Sequence, residues 1–170
     1  MSALTVVFMG VCGSGKSSVA ERYAQRTGSV VVEADAFHSP ANVAKMQSGQ
    51  PLNDADRAGW LQALAQRIAE GKRRGEAMAV TCSALKKSYR DVLRQGDPAL
   101  VLVHLTGTPA LLAQRMQGRQ GHFMPSTLLA SQLQTLEAPS PQVERCLQVD
   151  ITPSLDEITQ QVITALKSFA

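Results

Sequence analysis

Gly10-Val11-Cys12-Gly13-Ser14-Gly15-Lys16-Ser17 fits the pattern G-x-x-x-x-G-K-[ST] at every fixed position. A short apolar run, residues 4–9, leads into it, and a segment of helical character, residues 18–27, leaves it. Strand, glycine loop and helix in that order make a phosphate cradle. Gly10, Gly13 and Gly15 carry no Cβ, so the backbone is able to turn tightly with its N–H groups inward. Those donors fall at a helix N-terminus, where the dipole favours an anion. Lys16 brings a mobile positive charge to the β- and γ-phosphates, and the Ser17 hydroxyl is placed to reach Mg²⁺. The whole loop, Val11, Cys12 and Ser14 included, is the candidate site for a nucleoside triphosphate. It does not say what receives the phosphate.

The chain has 170 residues, which predicts one domain with a real core. Apolar residues make up 44%, which excludes a disordered chain. The net charge of +3 suits an anionic ligand without demanding nucleic acid, and 4% aromatic residues leave little to stack bases on. Cys12, Cys82 and Cys146 form no C-x-x-C pair, so they are expected to be reduced thiols of a cytoplasmic protein, without disulfide or zinc. No basic leader precedes the first apolar run and no stretch reaches membrane-spanning length, so neither export nor a membrane is expected.

Outward from the loop, strands and helices alternate. Strands are expected at residues 30–33, 77–82, 100–105 and 146–149, besides the first. Pro40 and Pro109 open helices. A long helix is expected over residues 54–72, with Leu61, Leu64 and Ile68 on one face and Trp60 beside them. Leu155, Ile158, Val162 and Leu166 make a core-facing stripe on the last helix. The pattern predicts an α/β fold: a five-stranded parallel sheet with helices on both faces and a small lid at about residues 118–126. In such sheets ligands gather at the carboxyl ends of the strands. Glu33, Asp35 and Ser83 fall there.

Three classes of function compete: a small-molecule kinase, a nucleotide-gated switch, and a basic RNA- or partner-binding module. A switch calls for a guanine-reading N-K-x-D segment, and the chain has none. Asp56-Arg57-Ala58-Gly59 matches D-x-x-G but lies inside the expected long helix. The cluster Lys72-Arg73-Arg74 reads as solvated surface. A kinase needs a carboxylate for the attacking hydroxyl, a metal ligand and cations over the migrating phosphoryl group. Asp35 is the candidate for the first and Glu33, through water, for the second, with Ser17. Arg115 and Arg119, four apart, share a helix face and lead into the lid, which closes over the phosphates.

Beyond the loop the resemblance is specific. Glu33-x-Asp35-x-x-His38, the run from Asn42-x-x-Lys45-Met46 through Pro51-Leu52-x-Asp54-x-Asp56-Arg57 to Trp60-Leu61, Cys82-Ser83-Ala84-Leu85-Lys86-Lys87-x-Tyr89-Arg90-Asp91, and Arg119-x-Gly121-His122-Phe123 resemble the gluconate kinases. The wider likeness is to the nucleoside monophosphate kinase and shikimate kinase fold. The resemblance implies ATP- and Mg²⁺-dependent phosphorylation of D-gluconate at its 6-hydroxyl, giving 6-phosphogluconate, in a homodimer. Another small hydroxy acid, shikimate among them, is the alternative acceptor. His38, Lys45, Arg57, Ser83, Lys87 and Arg90 supply the mixture of cations and polar groups that a carboxylated polyol requires. Arg57 and Arg90 are candidates for a bidentate grip on the carboxylate. Lys86 and Lys87 diverge by about 100° on a helix, so at most one faces the acceptor. His104, Trp60 and Met46 are expected in the core. Arg119 and the loop near residues 151–153 are the candidates for adenine. Cys12, Gly59 and Met124 depart from the family's usual residues.

Overall fold

The computed structural model describes residues 3–117 and 126–170. In chain order the elements are β1 (Thr5–Met9), α1 (Lys16–Thr27), β2 (Val30–Glu33), α2 (Pro40–Gln47), α3 (Asp54–Arg73), β3 (Met78–Thr81), α4 (Lys87–Gly96), β4 (Val101–Thr106), α5 (Pro109–Gln117), α6 (Ser126–Thr135), β5 (Cys146–Asp150) and α7 (Leu155–Leu166). Short 3-10 turns sit at Ala34–Phe37 and Lys167–Phe169. The expected lid and the residues Arg119, Gly121, His122, Phe123 and Met124 lie outside the described residues.

The five strands form one sheet in the order β2-β3-β1-β4-β5, and every pairing is parallel. β1 is the central strand, and all five of its residues are buried, as its run without polar alternation leads one to expect. Its side chains alternate between two cores. Val6 and Phe8 join α1 and α7 through Val19, Tyr23, Ile158, Val162 and Leu166. Val7 and Met9 join α3 and α4 through Leu61, Leu64, Ile68 and Leu93. Each fully buried aliphatic side chain contributes roughly 1.5–3 kcal/mol. Leaving β1 the chain crosses to β2 at the edge, returns through β3, then passes to β4 on the other side. The reversal puts the ends of β1 and β3 together, and the Gly10 N–H donates to the Ser83 carbonyl across 3.3 Å. That is where a sheet of this kind opens a crevice.

The long helix begins where the sequence places it. Asn53 and Asp56 bond to each other's backbone N–H, at 2.8 and 2.9 Å, closing a capping box. It runs on through Gly71, where a Cβ would stand 2.3 Å from Met78 Sδ. His104 is in the core, as expected; Trp60 packs against it only in part. Met46 is not: it is 42% exposed on α2.

Candidate active site

The donor side follows from the glycines. Gly13 and Gly15 hold φ of 82° and 84°, and a Cβ on Gly13 would lie 2.7 Å from the Leu112 carbonyl. Only glycine fits such a turn without strain. Gly15 caps α1 with no side-chain bond, so the first N–H groups of the helix stay open toward the loop. Ser14 Oγ is buried and has no hydrogen-bond partner among the described residues. Lys16 Nζ donates to the Gly10 and Val11 carbonyls at 3.1 and 3.2 Å. A cavity of about 330 Å³ opens here, between Gly13–Gly15, Arg115 and the apolar Leu155 and Ile158 of α7. Arg115 is held by the Ile151 carbonyl, 2.7 Å from Nη2. The open N–H groups, the orphaned hydroxyl and the cationic wall fit a polyphosphate; the apolar wall fits a base. Cys12 is buried, its Sγ 3.4 Å from Met116 Sδ, and its N–H donates to Gln132 Oε1 at 2.7 Å.

The metal candidates meet. Ser17 Oγ donates to Glu33 Oε2 at 3.3 Å, and Thr81, opposite Glu33 in the β2–β3 register, donates to the same oxygen. One carboxylate and one hydroxyl beside a phosphate loop is a donor set suited to Mg²⁺, which keeps several waters and takes the rest from phosphate. Among the described residues no group of three or more His, Cys, Asp or Glu makes a metal cage.

The acceptor side is built on the turn after β2. Trp60 Nε1 donates to the Ala34 carbonyl at 2.6 Å and pins that turn. The Asp35 carboxylate is exposed and accepts no hydrogen bond among the described residues. His38 stacks on Trp60, centroids 4.4 Å apart. Burial holds the His38 pKa below its ordinary value; Asp35 opposes that and Arg57 adds to it, so both charges reach the ring. Around it stand two cation–carboxylate groups. Lys45 binds Asp56 at 2.6 Å. Lys86 binds Asp54 at 3.2 Å, and Arg57 donates to the Tyr89 hydroxyl at 3.2 Å, which in turn donates to Asp54. Both cations also lie over the Tyr89 ring, at 5.5 and 5.7 Å.

Cys82 follows β3, is buried, and donates its N–H to the Phe8 carbonyl at 3.2 Å. Burial pushes its thiol up to about 12, and the charges of Lys16 and Asp35 both act on it, lowering and raising respectively.

Two expected substrate residues stand elsewhere. Arg90 is 1% exposed, and its Nε and Nη2 each lie 2.9 Å from a Glu144 carboxylate oxygen while Nη1 donates to the Ala84 carbonyl at 2.8 Å. A guanidinium so committed has no fork left for a ligand. Burial by itself would raise the Glu144 carboxyl, but Arg90 and Arg94 hold it below the ordinary value. Lys87 Nζ turns to Asp91, at 3.0 Å, and half-buried Lys86 turns instead to Asp54. Ser83 is half-buried beside the loop, and its carbonyl holds Gly10. Sequence reasoning passed over Tyr89 and Thr81 as functional groups; the strand register next to Glu33 is the signal that points to Thr81.

Comparison with known proteins adds independent findings. Residues 6–139 match a family model described as an AAA domain. The chain is 51% identical to the gluconokinase of Gluconobacter oxydans over 134 residues, 79% of this chain and 75% of that protein. It is 40% identical to the thermoresistant gluconokinase of Escherichia coli over 161 residues, 95% of this chain and 92% of that one. The crystal structure of a gluconokinase from Sinorhizobium meliloti superposes with a TM-score of 0.89 at 46% identity, covering 99% of this chain and 94% of the other.

Proposed function

The chain belongs to the gluconokinase family, and on that premise we propose that it transfers the γ-phosphoryl group of ATP to the 6-hydroxyl of D-gluconate, giving 6-phospho-D-gluconate and ADP. The observation that best supports this reading is the Ser17 hydroxyl donating to Glu33 at 3.3 Å, which brings the phosphate loop to the end of β2, where the turn bearing Asp35 begins.

The loop from Gly10 to Ser17 binds the triphosphate, with Lys16 drawn from its carbonyl rests onto the phosphates. Asp35 orients the 6-hydroxyl and accepts its proton as the new oxygen–phosphorus bond forms and the bond to the ADP oxygen breaks. Arg115, on the cavity wall, neutralises charge on the transferring group; Arg119 is assigned the same side. Ser17 and Glu33, the latter through water, would hold Mg²⁺, which when bound would neutralise phosphate charge. On the acceptor side His38, Lys45, Arg57 and Ser83 meet the polyol. Lys86 joins Arg57 on the carboxylate in the place first given to Arg90. The loop after β5 takes the adenine. We also assign the chain to the cytoplasm and to a homodimer; among the described residues no helix is long and apolar enough to cross a membrane.

A coupled ADP-release assay across D-gluconate, other aldonic acids, shikimate and nucleoside monophosphates tests the assignment. Gluconate is expected to give the highest kcat/KM. Faster turnover of a nucleoside monophosphate or shikimate contradicts it.

A further inference from the structure

We propose that Glu137, with the buried pair Arg90 and Glu144, positions the acceptor loop at residues 83–87 and thereby sets affinity for the sugar acid. The inference rests on the acceptor side being read correctly above. Its starting point is Ala84, a buried alanine held at φ 48°. An L-residue leaves the left-handed region unless its surroundings prevent it, and such outliers gather where a ligand is to be met.

The surroundings here are specific. Arg90 Nη1 holds the Ala84 carbonyl at 2.8 Å. Arg90 is itself fixed by Glu144, whose other partner is Arg94. One residue on, the Glu137 N–H donates to the Leu85 carbonyl at 2.7 Å. The Glu137 carboxylate then accepts from the Lys87 N–H at 2.9 Å. That bond replaces a cap α4 lacks, because Lys86 in the N-cap place makes no side-chain cap bond. At the near end Gly10 holds Ser83. The loop is therefore fastened at Ser83, Ala84, Leu85 and Lys87. Lys86, between two fastened residues, is the one whose ammonium reaches Asp54 beside Arg57 and Tyr89. If the Glu137 carboxylate is lost, the Lys87 end of the loop is released, the strain at Ala84 is less restrained, and Lys86 shifts away from the acceptor while Gly10 still holds Ser83. The phosphate loop, fixed by its own glycines and by Gln132, keeps its shape.

Glu137 is exposed, so its replacement leaves the fold intact. With the full chain, Mg·ATP and D-gluconate, Glu137→Ala is expected to raise KM for gluconate about tenfold while KM for ATP stays within about twofold. Glu137→Gln, which keeps an acceptor for the Lys87 N–H, restores the original value. Ala84→Gly added to Glu137→Ala recovers most of the loss, since glycine keeps a positive φ without a clamp. Amide hydrogen exchange at residues 83–87 rises in Glu137→Ala with no substrate present. Equal rises in both KM values overturn the proposal. So does a lower melting temperature with both KM values unchanged, or exchange that does not change. A parent chain inert toward gluconate sinks the proposed function instead, and the exchange comparison then decides the clamp by itself.

Discussion

The Ser17 hydroxyl donates to the Glu33 carboxylate across 3.3 Å, joining the first turn of α1 to the end of β2. The two residues reach that point from different elements, and each is a ligand type Mg²⁺ accepts. Glu33→Gln keeps the shape and the acceptor for Thr81 but removes the charge. It is expected to weaken the apparent Mg²⁺ affinity roughly 10–100-fold at fixed ATP. A titration of activity against Mg²⁺ reads this; an unchanged midpoint assigns Glu33 to packing of β2.

The adjacent lysines separate cleanly. Lys86 faces Asp54, Tyr89 and Arg57, while Lys87 is paired with Asp91 on the surface. Lys86→Met is expected to raise KM for gluconate about tenfold, the worth of one charge-assisted bond. Lys87→Met leaves it within about twofold, because its side-chain pair is exposed. Steady-state kinetics of the two variants checks both statements; the reverse order contradicts them.

Arg90 now carries a stability prediction. Removing it leaves Glu144 buried beside Arg94 with its main partner gone. Arg90→Ala is expected to cost about 3–5 kcal/mol, the usual result of breaking a buried pair from one side. Urea unfolding measures this, and the double variant Arg90→Ala/Glu144→Ala should cost less than the two singles added. Additive losses would mean the pair is not coupled.

His104 predicts a pH dependence. Burial, helped by the Arg90 charge, lowers its pKa to about 4 from an ordinary 6.5. Between those values the unfolded chain binds a proton that the folded chain refuses. Stability therefore falls as pH falls through that window. Below the ordinary glutamate range Glu144 adds a loss of the same sign, because its folded pKa is depressed. His104→Gln is expected to flatten the slope of unfolding free energy against pH between about 6.5 and 4. An equal slope in both proteins places the titration elsewhere.

Much of this was legible beforehand, and the reasons are local. The glycine loop, the buried run before it and the α7 stripe each state their geometry within a few residues. The cap on α3 does so too, through Asn53 and Asp56. Arg90 was not legible, because its partner Glu144 lies 54 residues away and only the folded sheet brings them together. The choice between Lys86 and Lys87 failed for another reason. The reading placed both on one helix, but α4 begins at Lys87, and Lys86 sits before it with extended backbone. The 3-10 turn that carries Asp35 is too short to show any periodicity. Met46 is an apolar side chain that α2 leaves exposed together with Val43, so its apolar character alone did not place it in the core.

The most direct measurement is identification of the product formed from D-gluconate and Mg·ATP, by phosphorus NMR alongside ADP release. The account predicts one 6-phosphate ester per ADP, no turnover in Lys16→Ala, and a fall of about 10²–10⁴-fold in kcat for Asp35→Asn with KM for ATP little changed. A phosphate ester at another position, ADP release without any ester, or Asp35→Asn as active as the parent would contradict it.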